Sequence, residues 1–312
     1  MARDWDAELI VTPELAARLV DEQFPELRPA EAVLFASGFD NTAYLINDAY
    51  LFRFPRRAVA VPLLETEARV LPALREYAQY VDVGIPQPRW VAKPSSLYPW
   101  MFSGYPKLSG RAAWNLFLDD RQRGDLTNSI ADFLKQTHSL KREAVDSLGL
   151  QPDGIGKLNL HTRLPLLQKY FAEFPMRNLP FAASDFSYII ESVCRWTDRL
   201  SRKTLVHGDF HAGNFLLDHD NKFCAVVDWG DVHIGDPAVD LSCVHAFLPQ
   251  QFHHDFRQRY GDIDEATWDF ARFRALYVAT VVLFYGQDNQ LEHAIREGTT
   301  ALRFLAGGQS SA

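Results

Sequence analysis

The sequence predicts an α+β protein with two lobes: an N-lobe made of an antiparallel sheet plus a helix, and a mainly helical C-lobe that carries a β-hairpin. The length of 312 residues suits two domains or one large two-lobed unit. Short, aromatic-rich segments separated by turn residues fill the first part of the chain, which is typical of an antiparallel sheet. After residue 110 apolar residues recur at helical spacing, except near 204–229. We therefore place the N-lobe at residues 1–104 and the C-lobe at 105–312.

The N-lobe is predicted to begin with a helix, because Thr12 is a suitable N-cap and Pro13 a suitable first helical residue. A second helix is predicted over 62–80, where Pro72 should cause a kink or a break. Turn residues around Gly38 separate the first two strand candidates. The predicted strands are 32–35, 44–46, 50–54, 89–92 and 100–102.

The C-lobe shows helical spacing over most of its length. The predicted helices are 127–140, 163–174, 185–200, 249–259, 265–285 and 288–305. The longest apolar stretch, 275–286, is too short to span a bilayer and reads as a buried core helix.

Composition and charge exclude several classes of protein. The chain is 47% hydrophobic and carries a formal net charge of −8, which argues against nucleic acid as a partner. The three cysteines are widely spaced in apolar contexts, so we expect buried thiols in a reducing cytosol rather than disulfides or a zinc finger. The N-terminus lacks the apolar segment of a signal peptide. We expect a cytoplasmic protein without a membrane partner.

A hairpin is predicted from Asn214–Leu217 and Phe223–Asp228, with residues 219–222 as its turn. Asn214 and Asp228 are equidistant from Asn221, so a symmetric hairpin brings both to its open end, unless a bulge shifts the register by one. Two oxygen ligands at one point suit a hard cation such as Mg²⁺.

The loop that enters this hairpin reads His207-x-Asp209-x4-Asn214, and the hairpin is followed by Asp228-Trp229-Gly230. This order and spacing match the catalytic loop and the metal-binding triplet of protein kinases. An aspartate in such a loop orients and deprotonates a substrate hydroxyl. An amide oxygen and a second carboxylate hold the metal ions that bridge the nucleotide phosphates.

Together with Gly235-Asp236-Pro237-x-x-Asp240, these segments resemble the aminoglycoside phosphotransferase family, a branch of the protein-kinase-like fold. The resemblance implies that Asp209 is the catalytic base and that Asn214 and Asp228 bind Mg²⁺. It also implies that Asp240 braces the catalytic loop, with His207 and Asp236 as further structural support.

The N-terminal part is similar to the 2″-aminoglycoside and macrolide phosphotransferase branch of that family. Residues 38–41 resemble its nucleotide-covering loop, 52–56 its third strand, and 66–69 the helix whose glutamate pairs with the strand cation. The resemblance runs from about residue 33 to 245 and implies that Arg53, paired with Glu67, positions the phosphates. Further nucleotide contacts are expected from Ser37 in the covering loop and from Met101 and Ser103 in the connection between the lobes.

The sequence departs from the family pattern at two places. The strand cation is Arg53 instead of lysine, and a guanidinium reaches its partners differently from an ammonium. If Arg53 does not contact the phosphates, Arg56 and Arg57 are the alternatives. The covering loop also contains only Gly38 in place of a glycine-rich repeat.

Other readings of the same residues compete with these. His207 and His211 stand four apart, but such a pair faces one zinc ion only on a helix, which Gly208 and Gly213 disfavour. Four carboxylates of the C-terminal half could line a pocket for a polycationic acceptor or could be a solvated face: Asp231, Asp264, Glu265 and Asp269. Aromatic residues of the last helices belong to a core or to the floor of an apolar pocket.

We therefore expect a phosphotransferase that moves the γ-phosphoryl group of ATP or GTP to a hydroxyl of a small molecule, an aminoglycoside or macrolide antibiotic. The alternatives are a metabolic kinase acting on a sugar, an amino alcohol or homoserine, a catalytically silent kinase-like binding module, and a His/Asp metallohydrolase.

Overall fold

The computed structural model describes residues 7–38, 40–78, 80, 82–196 and 202–307. The chain forms two compact units. The first takes in Met1–Gln79, Gly84–Ser109 and Val227–Asp231, and the second takes in Tyr80–Val83, Gly110–Val226 and Val232–Ala312. The division at residue 104 stays a prediction; these units part after Ser109, and the first also includes a short segment from late in the chain.

The first unit is built on an antiparallel sheet in the order β1-β2-β3-β5-β4. Its strands are β1 (Ala32–Ser37), β2 (Asn41–Ile46), β3 (Tyr50–Pro55), β4 (Trp90–Val91) and β5 (Ser103–Pro106). Helix α1 (Pro13–Gln23) begins as predicted, because the Thr12 side chain accepts a hydrogen bond from the Leu15 amide at 3.2 Å.

Side chains alternate across β3 and thereby separate a core face from a polar face. Phe52 and Phe54 are fully buried among aromatic side chains that include Phe102, while Arg53 lies on the opposite side of the strand. Three consecutive residues of β3 thus serve two faces: Phe52 and Phe54 pack in the core, and Arg53 is presented on the other side.

Helix α2 (Val61–Tyr77) contacts the turn formed by Trp229–Asp231. It runs through Pro72 without the predicted break, because a continuous row of buried side chains, including Leu64 and Leu71, holds both halves in place. Glu67 belongs to the same buried face.

The strand predicted at 100–102 is displaced in the structure to Ser103–Pro106. Phe102 packs into the core, and the strand that follows contains Gly104, directly beneath the Phe52 ring. A side chain there would begin 2.4 Å from that ring. Glycine is rare in strands, so local preference disfavoured this segment although the close approach requires it.

The second unit is mainly helical. Its helices are α3 (Asp120–Gly124), α4 (Thr127–His138), α5 (Arg142–Ser147), α6 (Leu160–Glu173), α7 (Ser187–Cys194), α8 (Ala238–Phe247), α9 (His253–Tyr260), α10 (Glu265–Asn289) and α11 (Glu292–Ala306). Helix α10 packs against both α8 and α11 and is buried on most sides, so it forms the centre of this unit. The predicted helix at 185–200 ends at Cys194, and residues 197–200 lie outside the described part.

Two small antiparallel sheets hold the loops of the second unit. One contains β6 (Arg111–Ala112), β8 (Phe215–Leu217) and β9 (Phe223–Val226); the other pairs β7 (Thr204–Val206) with β10 (His233–Gly235). Within the described ranges, each helix is too short or too polar to traverse a bilayer.

The prediction of three buried thiols is wrong for two of the cysteines. Cys243 is buried in α8, but Cys224 is only partly buried and Cys194 is exposed. Cys194 is the last residue of α7, where the helix has already turned its apolar face away from that position.

Candidate active site

The loop between β7 and β8, residues 207–214, is held by one buried carboxylate. Asp240 accepts hydrogen bonds from the backbone amides of His207 at 2.7 Å and Gly208 at 2.9 Å. Gly208 has φ of +90°, a conformation that other residues adopt at a cost, which explains the glycine before Asp209. The backbone on the N-terminal side of Asp209 is therefore fixed.

Asp240 is itself supported by side chains that the sequence did not indicate. Its Oδ2 lies 3.1 Å from His138 Nε2, and His138 Nδ1 lies 2.8 Å from the Tyr260 hydroxyl. Burial raises the pKa of Asp240, but His138, His207 and the Gly208 amide lower it by more, so the carboxyl stays ionised. The structure places Asp240 where a brace of the loop would lie.

Asp209 and Asn214 contact each other within the loop. The Asn214 Nδ2 donates to the Asp209 backbone carbonyl at 2.9 Å and to its Oδ2 at 3.1 Å. Asp209 keeps 35% of its side chain exposed, so its carboxylate remains accessible. Because Asn214 uses its nitrogen inside the loop, Oδ1 is the atom that it offers to a cation.

His211 lies beside the same carboxylate. Its Nδ1 accepts a hydrogen bond from the Gly213 amide at 3.0 Å, so the neutral ring carries its proton on Nε2. That Nε2 lies 3.4 Å from Asp209 Oδ2. Burial raises the pKa of Asp209, but His211, Lys157 and Arg274 lower it by more. Asp209 is therefore an ionised carboxylate at neutral pH.

The hairpin register differs by one residue from the symmetric prediction. Phe215 faces Val226 and Leu216 faces Ala225, and a bulge follows before Leu217 faces Phe223. A hairpin centred on Asn221 would instead pair Phe215 with Val227. The extra residue is Cys224, in the second strand of the hairpin between Phe223 and Ala225.

Arg53 joins two carboxylates in the first unit. Its Nη1 donates to Glu67 Oε2 at 2.5 Å, and its Nη2 donates to Asp228 Oδ1 at 2.6 Å. Burial lowers the pKa of Arg53, but Asp228 and Glu67 raise it by more, so it stays charged. Asp228 has φ of +64° and keeps 46% of its side chain exposed. The predicted pairing of Arg53 with Glu67 is present, and Asp228 is an additional partner.

The remaining nucleotide-binding candidates lie in or next to the sheet of the first unit. Ser103 is buried and opposite Arg53 in the register of β3 and β5. Ser37 ends β1, and Met101 is buried just before β5. The alternative cations Arg56 and Arg57 contact the segment between β1 and β2, because Arg56 donates to the Gly38 carbonyl and Arg57 pairs with Asp40.

The carboxylates proposed for a polycationic acceptor are engaged by this chain itself. Asp264 caps α10 by accepting from the amide and hydroxyl of Thr267. Asp269 is buried and accepts from Trp196 Nε1 at 2.9 Å, and Glu265 pairs with Arg257 at 2.8 Å.

Two further predicted site residues, Asp231 and Asp236, lie in a short turn and at the start of a helix. Asp231 ends the short turn of the first unit that begins at Trp229. Asp236 accepts from the amides of Arg202 at 3.0 Å and Ala238 at 2.9 Å, so it shapes the start of α8.

The histidines of the loop do not form a metal cluster among the described residues. The metal-compatible group found there is Asp218, His219 and Asp220, in the hairpin turn. His207 is instead fully buried, and its Nδ1 accepts from the Asp209 amide at 3.2 Å.

A model of the phosphotransferase enzyme family matches residues 31–276. Among curated proteins, acyl-CoA dehydrogenase family member 10 of Mus musculus is 26% identical over 246 residues, which are 72% of this chain and 21% of that protein. The chain thus spans about a fifth of the length of the mouse protein. Protein YcbJ of Bacillus subtilis (strain 168) is 20% identical over 78% of this chain and 79% of its own.

Solved structures share the fold. The GDP complex of aminoglycoside 2'-phosphotransferase-IIIa has a TM-score of 0.68 and 22% identity, covering 95% of this chain and 99% of that chain. Macrolide 2'-phosphotransferase type I has a TM-score of 0.57 and 17% identity, covering 94% and 98%. These likenesses confirm the predicted α+β, two-lobed protein-kinase-like fold.

Proposed function

Because this chain belongs to the phosphotransferase enzyme family, we propose that it transfers the γ-phosphoryl group of ATP or GTP to a hydroxyl of a small molecule. The observation that carries this proposal is the state of Asp209. Its carboxylate is ionised, a third exposed, and fixed by a backbone that Asp240 holds. Such a group can orient an acceptor hydroxyl and accept its proton.

The nucleotide is assigned to residues of the first unit. Arg53, which is held by Glu67, positions the phosphates, and Ser37, Met101 and Ser103 contact the rest of the nucleotide. The support for Arg53 is its burial and its two carboxylate partners, which keep the guanidinium charged and directed. A guanidinium donates through a planar fork and can exchange a carboxylate oxygen for a phosphate oxygen.

Mg²⁺ is assigned to Asn214 and Asp228. The donor set fits a hard cation, because Asn214 has its Oδ1 to offer and Asp228 keeps nearly half of its side chain exposed. When bound, the ion neutralises negative charge on the β- and γ-phosphates. Asp228 meanwhile keeps Arg53 in place, and Asn214 keeps the Asp209 carboxylate in place.

The acceptor has two candidate classes. The names of the structural relatives favour an antibiotic hydroxyl, of an aminoglycoside or a macrolide. The second candidate is a metabolic kinase acting on a sugar, an amino alcohol or homoserine. It is favoured by Asp264, Glu265 and Asp269, whose oxygens are engaged by this chain instead of being available to a polycation.

Transfer from ATP and from GTP should be measured with Mg²⁺ against aminoglycosides, macrolides, sugars, amino alcohols and homoserine, with mass spectrometry of the product. We expect Asp209→Asn to lower kcat by about 10²–10⁴-fold, the usual contribution of a general base. Its matched control is Asp220→Asn, in the exposed turn of the hairpin. Nucleotide protection in thermal unfolding should survive in both variants. Unchanged turnover in Asp209→Asn would exclude the assigned role.

A further inference from the structure

The second half of the loop that carries Asp209 is held by a short turn, residues 113–115, which follows β6. The Trp114 amide in this turn donates to the Ala212 carbonyl of the loop at 3.0 Å. The Trp114 ring is partly buried and lies beside the His211 ring, with the two centroids 5.4 Å apart and the planes at 48°. Trp114 therefore contacts the loop through its backbone and through its side chain.

Gly213 allows the two rings to come this close to the loop backbone. A side chain at this position would begin 2.7 Å from His211 Cε1 and 2.9 Å from two carbon atoms of the Trp114 ring. Contacts this short essentially do not occur for real Cβ atoms, so at least one ring would have to move. The Gly213 amide also donates to His211 Nδ1 at 3.0 Å. This part of the loop is therefore built around the packing of the two rings.

The position of the His211 ring matters because the ring lies against both residues of the loop that have assigned roles. Its Nε2 is 3.4 Å from Asp209 Oδ2 and 3.3 Å from Asn214 Nδ2. Rotation of the imidazole to another rotamer would carry this nitrogen away from both side chains. The hydrogen bond from the Gly213 amide and the packing of Trp114 both oppose that rotation.

Helix α11 holds the turn that carries Trp114. Arg296 donates from Nη2 to the carbonyls of Trp114 at 2.5 Å and Leu116 at 3.2 Å. The His293 ring lies 4.9 Å from the Trp114 ring, measured between centroids. The Trp114 ring is therefore packed against both a helix and the loop, and close packing of this kind leaves it little freedom to move away from His211.

We propose that Trp114 is a positioning residue of the phosphotransferase reaction: its ring fixes the His211 imidazole, which in turn holds the side chains of Asp209 and Asn214 in place. This inference rests on the proposed function for its effect on turnover, whereas the positioning of His211 can be measured without turnover. The effect of the Trp114 ring on kcat should pass through His211.

A double-mutant cycle with Trp114→Ala and His211→Ala measures whether the two rings act together. Each single variant should lower kcat by about 2- to 10-fold, the effect of losing one contact of moderate strength. The double variant should be no slower than His211→Ala, because the Trp114 ring then has no imidazole to position. Trp114→Phe keeps an aromatic ring and should retain most of the turnover of the unaltered protein.

Phe117→Ala is the matched control, because Phe117 is an exposed aromatic residue close to the same turn and its ring also contacts Arg296. It should leave kcat unchanged. Thermal unfolding and nucleotide protection show whether each variant is folded, and Trp114→Leu takes the place of Trp114→Ala if the latter does not fold. An unchanged kcat in Trp114→Ala, or losses that multiply in the double variant, would overturn the proposal.

Imidazole nitrogen NMR of His211 measures the positioning without an acceptor. Asp209→Asn should shift the His211 resonances, because Nε2 lies next to the altered carboxylate. The same substitution should have a smaller effect in Trp114→Ala, and Trp114→Phe should restore it. An equal shift in both backgrounds overturns the role of Trp114. If the unaltered protein phosphorylates no acceptor, the proposed function fails instead, and the NMR comparison still decides whether Trp114 positions His211.

Discussion

Glu67 in the first unit and Asp240 in the second are both completely buried carboxyl groups, but they are held in different ways. Asp240 accepts two backbone amides and lies beside His138, and its pKa is lowered. Glu67 pairs with Arg53, which also serves Asp228, and burial together with the Asp228 charge raises the pKa of Glu67. The neighbouring histidines, His138 first, together with a backbone amide thus outweigh the cost of burial at Asp240, whereas one shared cation does not at Glu67.

This difference suits the roles that we propose for the two groups. Asp240 accepts hydrogen bonds from the main chain, so it fixes the backbone that leads to Asp209. Arg53 is a long side chain between two anions, so an incoming phosphate can replace one of them without rearranging the backbone. The arrangement at Asp240 fixes the position of a loop, and the arrangement at Arg53 allows one anionic partner to be replaced by another.

The largest effect is expected at Asp240. Asp240→Asn removes the charge and leaves one of the two backbone amides, of His207 or Gly208, facing an amide nitrogen, so the free energy of unfolding should fall by about 3 kcal/mol or more. Urea unfolding at neutral pH measures it, and Asp220→Asn is the control. A loss of less than about 1 kcal/mol would mean that the backbone amides do not hold this carboxylate.

A buried histidine, His245, and a partly buried one, His253, provide a further comparison, because both stay uncharged in the folded protein at mildly acidic pH. Burial lowers the pKa of His245 well below 6.5 and lowers that of His253 to about 4. Below 6.5 the unfolded chain binds protons that the folded protein does not, so stability should fall on acidification toward about 4. The slope is about 1.4 kcal/mol per pH unit for each histidine.

Thermal or urea unfolding across that pH range checks the slope. His253→Gln should reduce the slope of unfolding free energy against pH by the contribution of one histidine. His254 is the exposed neighbour, and His254→Gln should leave the slope unchanged. Equal slopes in the two variants would show that His253 is protonated in the folded protein.

A smaller effect is expected at Glu67. Glu67→Gln keeps an oxygen for Arg53, which remains paired with Asp228, and it removes a charge that burial already disfavours. The free energy of unfolding at neutral pH should therefore fall by only about 1 kcal/mol. Because the folded-state pKa of Glu67 is raised above 4.5, its contribution is greatest in acid and is lost as the pH rises. The Glu67→Gln variant should lack this pH dependence of stability. A loss of unfolding free energy equal to that in Asp240→Asn would show that the two carboxyl groups do not differ in the way proposed.

The smallest effect is expected at His211, which helps to hold the ionised form of Asp209. His211→Ala removes the contact of Nε2 with Asp209 Oδ2 at 3.4 Å and the hydrogen bond from the Gly213 amide. We therefore expect kcat to fall by about 2- to 10-fold and the pKa of Asp209 to rise. Carboxyl carbon NMR follows that pKa directly. His219→Ala in the exposed hairpin turn is the control, and an unchanged pKa would show that Lys157 and Arg274 are sufficient.

The sequence by itself determined the features that depend on near neighbours. The Thr12 cap, the alternation around Arg53 and the glycine before Asp209 each follow from interactions spanning a few residues. The spacing of Asp209, Asn214 and Asp228 predicted the chemistry in the same local way, and the pairing of Arg53 with Glu67 followed from the family pattern.

The tertiary structure alone decided which distant groups meet. His138 and Tyr260 support Asp240 from more than a hundred and from twenty residues away, and no local pattern singles them out. Lys157 lies in a stretch rich in turn residues directly before α6, but the folded chain leaves it only 5% exposed. Secondary structure is fixed by contacts along the chain, whereas burial and charge partners depend on which elements pack together, and those contacts have no period in the sequence.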